Sequence, residues 1–215
     1  DATHDAIVEA LVNEVENVSS VTLFENKTNT DNTSSGGLPE YSFEAVVFGG
    51  SSTEVAETIF ETKGVTSRDY GGANGTEVTE TVTADSNGQQ FDISFSRPTE
   101  VDIDVTLDLV IDDTYAGDDE IRDDIVRYIG GTLADGSQTT GLDVNDDVFI
   151  DTIRDIVIGD EQGVIALEQS VDGSPIETTP SYSTIDGVER IDIGESEVAQ
   201  AEAEATSIEI NTREL

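Results

Sequence analysis

The chain has a single histidine, His4, which lies near one end at the start of an expected helix. A histidine general base needs a nucleophile to deprotonate and a carboxylate to orient it. A terminal, exposed position supplies neither, so His4 is expected to be solvated. With one His and no Cys, sites of zinc type and thiol chemistry lack ligands. Carboxylates are the opposite case, because 48 Asp and Glu residues let any fold bring some pair to the separations that glycoside hydrolysis uses. Asp143, Asn145 and Asp147 imitate the opening of a calcium loop, but Val148 stands where that loop needs glycine and Arg154 where it needs a bidentate Glu. Gly71, Gly72 and Gly75 show no dinucleotide-binding order and no lysine follows them, so they are expected to form a flexible turn. Asn17, Asn26, Asn32 and Asn74 sit in N-x-S/T contexts that would suit a glycosylated surface protein, although a chain rich in Ser and Thr also produces such matches by chance. No catalytic, cofactor-binding or metal residue is nominated; the chain is expected not to be an enzyme and to need no cofactor.

Charge narrows the partners. The chain carries 48 acidic and 9 basic residues, a formal net charge of −39, and only two lysines, Lys27 and Lys63. Like charges at that density oppose compaction in dilute buffer; at molar salt the Debye length falls to about 3 Å and most of the repulsion is screened. Acidic disordered tails come in runs without periodicity. Here Asp alternates with Val and Ile, as in Val101-Asp102-Ile103-Asp104-Val105. The composition predicts a folded, halophilic protein. Nucleic acid and anionic membranes are not expected as partners, because no Lys or Arg cluster exists to meet phosphate. No apolar run approaches the ~20 residues that span a bilayer. The chain begins at Asp1 and contains no Met, which suggests a piece of a longer protein.

The patterning predicts an α+β fold: two small domains of mixed sheet with short helices packed on them. Ile7, Val8, Leu11, Val12 and Val15 predict a helix over 4–17, with Thr3 or Asp5 as a cap. A strand is expected over 18–24, a polar loop over 26–37, and a strand over 41–48 with Phe43, Ala45 and Val47 on one face and both faces covered. Gly49-Gly50 allows a sharp exit; Ser51 with Glu54 forms a capping box for a helix buried through Val55, Ala56, Ile59 and Phe60. Lys63 suits the end of that helix and Gly64 a left-handed residue after it. Period two then predicts a strand over 78–84, a tight turn at Asn87-Gly88, a strand at Phe91–Phe95 ended by Arg97-Pro98, and one long strand from Val101 to Leu109.

The pattern lapses over 112–117, which predicts a boundary between domains 1–112 and 113–215. A helix from Asp118 or Asp119 is expected to bury Ile121, Ile125, Tyr128 and Ile129 and to stop at Gly130-Gly131. Another is expected from Asn145 or Asp146, carrying Phe149, Ile150, Ile153, Ile156 and Val157. Strands at 164–169, 188–193 and 207–210 follow, with 170–185 a long hairpin or loop. Helix, turn and Val21–Asn26 echo helix, turn and Val164–Gln169, a weak sign of duplication.

Gly37-Leu38-Pro39-Glu40-Tyr41-Ser42-Phe43-Glu44-Ala45-Val46-Val47-Phe48-Gly49-Gly50, followed by Glu54-Val55-Ala56-Glu57-Thr58-Ile59-Phe60, resembles the baseplate J-like family of tailed phages and contractile injection systems. The resemblance continues through a glycine turn, a strand, Asn87-Gly88, Phe91 to Phe95, Arg97-Pro98 and a further strand, and then through both later helices and the Gly163-Val164 strand. It spans nearly the whole chain, is most specific between Gly37 and Pro98, and matches the middle and C-terminal portion of the family. The segments 26–35 and 170–185 have no counterpart in it. The resemblance implies a baseplate wedge component: copies joined to each other and to other tail proteins (hub, wedge and fibre attachment) in a ring at the tail end of a virion, assembled in the host cytoplasm. With the acidic composition, it implies a virus of haloarchaea or a related injection particle. Two rival expectations stand beside it: a haloarchaeal cell-surface or adhesion module, which the N-x-S/T sites favour, and a halophilic hydrolase fragment using two acids.

Overall fold

The computed structural model describes residues 4–64, 66–159, 163–167, 176–204 and 206–215. The fold is α+β, with short helices packed against mixed sheets. It divides into two compact units, Asp1–Thr99 with Glu195–Glu197, and Glu100–Gly194 with Val198–Leu215.

In the first unit α1 (His4–Glu14) leads to β1 (Val18–Asn26), β2 (Ser42–Gly49), α2 (Ser52–Thr62), the short β3 (Arg68–Asp69), β4 (Thr76–Thr83) and β5 (Gln90–Arg97). The sheet order is β1-β2-β5-β4, with β3 also against β2. β2 is parallel to β5, whereas β1–β2 and β4–β5 are antiparallel. Phe43, Ala45 and Val47 share one face of β2 and form a core with Ile7, Leu11 and Val15 of α1, Val55, Ala56 and Ile59 of α2, and Ile93 and Phe95 of β5. The opposite face of β2 is buried as well, at Ser42, Glu44 and Val46. α1 is shorter than its apolar period predicts, because Asn17 adopts a left-handed φ of 62° and turns the chain into β1.

Ser51 does stand at the helix N-cap of α2, but its side chain makes no capping bond. Lys63 leaves the helix in an extended conformation (φ −66°, ψ 146°) while its N–H still donates to the Ile59 carbonyl. The connection at Asn87-Gly88 is wider than a two-residue turn: Thr83 pairs with Gln90, Ala84 N–H donates to Gln89 O and Gly88 N–H to Ala84 O. Only Gly88 takes a positive φ there, 70°, as in four-residue loops built on a type I turn.

The Gly49-Gly50 exit has a strict requirement. Gly49 has φ 81°, and a Cβ there would lie 2.1 Å from the Asn17 carbonyl oxygen. Gly88 shares the left-handed conformation, with open space around its missing side chain. Gly49→Ala is therefore expected to cost about 3 kcal/mol and Gly88→Ala about 1 kcal/mol, read from denaturant midpoints in molar salt. Equal losses would contradict the close approach.

The second unit is built around one strand. Between Val101 and Leu109 the expected single strand is two, β6 (Thr99–Asp102) and β7 (Asp104–Ile111), separated at the buried Ile103, whose N–H donates to Gln200 O. Further along come α3 (Asp118–Ile129), β8 (Gly131–Thr132), β9 (Gln138–Thr139), β10 (Val148–Phe149), α4 (Ile150–Gly159), β11 (Val164–Leu167), β12 (Ile176–Thr179), β13 (Ser183–Ile185), β14 (Val188–Ile191), β15 (Glu197–Glu202) and β16 (Ile208–Glu214). β7 pairs antiparallel with β12 along its first half and β11 along its second, and parallel with β16 from Val105 to Ile111. β7 thus belongs to the second unit, and the division falls at Thr99 rather than after residue 112. Two smaller sheets, β6-β15-β8-β9 and β10-β14-β13, complete the unit. Val105, Leu107 and Leu109 of β7 pack with Ile121, Ile125 and Ile129 of α3 and Ile150, Ile153 and Val157 of α4.

α3 ends where its glycine pair predicts, Gly130 and Gly131 having φ 105° and 127°. α4 begins later than expected, at Ile150, because Asn145 is left-handed (φ 68°) and Val148 and Phe149 pair with β14. Of the segment 170–185, residues 170–175 lie outside the described residues; the remainder holds β12 and β13, and Asp186-Gly187 (φ 54° and 84°) turns β13 into β14. The internal echo has a counterpart in pairing: β1 and β11 each follow a helix and lie antiparallel to a strand whose opposite neighbour is parallel. Chain order differs, since β2 follows β1 whereas β7 precedes β11.

Candidate functional site: a buried carboxylate and a glycine loop

The densest polar constellation among the described residues lies in the first unit. Glu44, in the middle of β2, is fully buried. A carboxylate taken out of water must be compensated by hydrogen bonds or a counter-charge. Here the loop of residues 71–75 supplies the hydrogen bonds. Ala73 N–H donates to Oε1 (3.0 Å), Asn74 N–H to both oxygens (3.1 and 3.0 Å) and Asn74 Nδ2 to Oε2 (2.6 Å). Ser96 Oγ of β5 donates to Oε1 at 2.6 Å and accepts the Gly72 N–H at 2.9 Å.

The glycines let this loop lie close to β5. A Cβ on Gly71 would stand 2.5 Å from Phe95 O, and one on Gly75 2.3 Å from Arg97 O. The segment expected to be a flexible turn is therefore anchored, a cradle of backbone donors whose anion is the protein's own side chain. A carboxylate offers about four lone-pair sites, and these contacts occupy them. Glu44 is thus placed to fasten a loop rather than to exchange protons with a ligand.

The scarce cations play a similar part. Arg97 donates through Nη1 to Val47 O (3.0 Å) and to Gly49 O, and through Nη2 to Gly50 O (2.8 Å) and Ser52 Oγ (3.2 Å), with its guanidinium 5.2 Å from the Phe95 ring centroid. Burial lowers its pKa from the usual arginine value. Lys63 pairs with Asp69, whose Oδ2 also accepts the Ser94 N–H at 2.7 Å. In the second unit Arg122 holds Asp118 at 3.0 Å and the Ile208 carbonyl at 3.0 Å, joining α3 to β16.

No family model matches the sequence, and no curated protein matches it.

His4 is partly exposed, with Nε2 3.1 Å from the Leu23 carbonyl of β1 and Nδ1 3.4 Å from Asp5, a contact with backbone and a neighbour rather than with a nucleophile. The residues Asp143, Asn145 and Asp147 do not converge as a cation loop: Asp147 accepts the Ile193 N–H at 2.9 Å and lies 3.3 Å from Arg190. Among the described residues no group of three or more His, Cys, Asp or Glu side chains is arranged to hold a metal ion. Nor, among them, is any helix long and apolar enough to cross a membrane. Of the N-x-S/T asparagines, Asn26 is buried with Nδ2 donating to Thr30, Leu38 and Pro39 carbonyls, and Asn74 is held by Glu44. A cleft of about 430 Å³ in the second unit is lined by Glu100, Asp102, Asp104 and Glu202 beside Thr132 and Gln200.

Glu44 belongs to no motif, and its signal in the sequence is a charged residue inside the apolar run Phe43–Phe48. A strand buried on both faces has to give such a residue a partner.

Asp143 yields a measurable consequence. Partial desolvation of this largely exposed side chain, followed by the neighbouring Asp146 carboxylate, raises its pKa above the ordinary 3.8. An acid that binds its proton more tightly when folded lowers stability as pH rises from the unfolded value through the raised folded one. Asp143→Asn is thus expected to raise the unfolding midpoint at neutral pH and to leave it unchanged well below pH 3.8. A destabilised variant at neutral pH would contradict that assignment.

Proposed function

We propose that the chain is a structural component of a viral or virus-like tail baseplate, acting through surfaces that join copies of itself and other tail proteins in concentrated salt. One observation carries the proposal: the chain has, in order, the elements on which the baseplate J-like resemblance rests. β2 runs into the Gly49-Gly50 pair, α2 follows, then the glycine loop, β4, the Asn87-Gly88 turn and β5 ending at Arg97 before Pro98. Internal fastening agrees with a role as scaffold, since Glu44, Arg97 and the Lys63–Asp69 pair are all committed to holding elements together.

The surface-module alternative draws on the N-x-S/T sites, and the structure weakens it at two of the four, Asn26 and Asn74, whose side-chain amides are engaged. Labelling the chain and imaging purified particles by electron microscopy separates the two readings. Density at the tail end supports the baseplate role. Recovery in the cell envelope, with none on particles, refutes it.

A further inference from the structure

The dipeptide Asn-Gly occurs twice, at Asn74-Gly75 and Asn87-Gly88, and the fold treats the two unequally. We propose that Asn87 is a modification site at which the folded protein converts asparagine to aspartate and isoaspartate by attack of its own backbone, while the Glu44 network keeps Asn74 unreactive. The reactants are water and hydroxide, so the inference does not depend on the proposed function.

In the step, the Gly88 backbone nitrogen gives its proton to hydroxide and attacks Cγ of Asn87. A C–N bond forms, the Cγ–Nδ2 bond breaks as Nδ2 takes a proton from water and returns the hydroxide, and ammonia leaves, closing a five-membered imide. Water then adds to either imide carbonyl. Opening one way leaves an aspartate; opening the other way routes the main chain through the former side chain. One water enters and one ammonia departs.

The tip of the β4–β5 hairpin is arranged for this. Asn87 and Gly88 are exposed, and the side of Gly88 where a Cβ would sit is open. Gln89 N–H donates to Asn87 Oδ1 at 2.9 Å, so the attacked carbonyl already faces a donor for the negative charge that develops on its oxygen. Among the described residues nothing hydrogen-bonds the Asn87 Nδ2, the leaving group. The bond from Gly88 N–H to Ala84 O, 2.8 Å, has to open for attack.

At Asn74 the relations reverse. Its Nδ2 and its own N–H both bind the buried Glu44 carboxylate. Gly75 packs so closely under the Arg97 carbonyl that a Cβ would come within 2.3 Å. Turning Cγ toward the Gly75 nitrogen would break charge-assisted bonds inside the protein.

The test incubates the whole chain, folded in molar potassium chloride at mildly alkaline pH, and maps both asparagines by peptide mass spectrometry with fragmentation that distinguishes isoaspartate. Conversion at Asn87 is expected to exceed that at Asn74 by about ten- to a hundredfold, the range that loss of one hydrogen bond to a charged group implies. In urea the two rates should become comparable. Gly88→Ala should slow conversion at Asn87 and leave Asn74 unchanged. Equal rates in the folded protein, or a difference that persists in urea, would overturn the proposal.

Discussion

Dilution from molar potassium chloride into low-salt buffer is expected to abolish the near-UV signal of the protein, and restoring the salt should recover it. The formal charge of −39 is the starting point. The structure adds that the few basic residues are engaged in local contacts, several of them with surface acids. Arg97 is directed at backbone carbonyls, and Lys63, Arg122 and Arg190 each hold a particular acid. The 48 acidic residues outnumber the 9 basic ones, so most of the negative charge stays uncompensated. At low ionic strength their repulsion acts over roughly 30 Å, and at molar salt over about 3 Å. Because the effect is one of screening, sodium and potassium chloride at equal ionic strength should serve alike. An uncharged osmolyte, which strengthens burial by exclusion from the surface, should rescue less. Retention of the folded signal in dilute buffer would refute the halophilic expectation.

Glu44→Ala is expected to lose about 3 kcal/mol or more of stability, measured by urea unfolding in molar salt. The substitution removes one acceptor set and leaves the half-buried Ala73 and Asn74 N–H groups and the buried Ser96 hydroxyl without it. Each buried donor left unsatisfied costs about 1–3 kcal/mol. Glu44→Gln, which keeps one carbonyl oxygen but turns an amide toward backbone donors, should fall between the wild type and Glu44→Ala. Ser96→Ala, deleting one bridge, should cost about 1 kcal/mol. If Glu44→Ala cost less than Ser96→Ala, the carboxylate would not be the fastening point. Loops of this domain that remain ordered in both variants would also count against it.

The elements that local pattern specifies were legible: α2 and α3 through their apolar stripes and glycines, and β4 and β5 through strict alternation around Asn87-Gly88. Asp186-Gly187 is equally readable as a hairpin turn, at the end of the segment 170–185 expected as a long hairpin or loop. Three further turns share one signature, Asp followed two residues later by Thr or Ser. In them Asp31, Asp112 and Asp135 accept side-chain and backbone hydrogen bonds from Thr33, Thr114 and Ser137, which lower their pKa values. β15 could not be foreseen: Glu197–Glu202 reads Glu-Val-Ala-Gln-Ala-Glu, with Val198 its one β-branched residue and little strand propensity otherwise, and partners far away in sequence decide its state. The same holds for the break at Ile103 and for the late start of α4, where pairing with β14 overrides helical spacing. The Glu44 site was half visible, since the charge inside an apolar strand announced a partner but nothing local named Ala73, Asn74 or Ser96.

The parallel pairing of β7 with β16 sets an order of events at the ribosome. All the strands of the first sheet, from β1 to β5, have been made by Arg97, so that sheet can close while synthesis continues. Val105, by contrast, waits for Ile208, and Ile111 for Glu214. A nascent chain stalled before β16 exposes one edge of its central apolar strand, and such long-delayed pairings are slow and prone to aggregation. Maturation of the second unit is thereby timed by the emergence of its last strand.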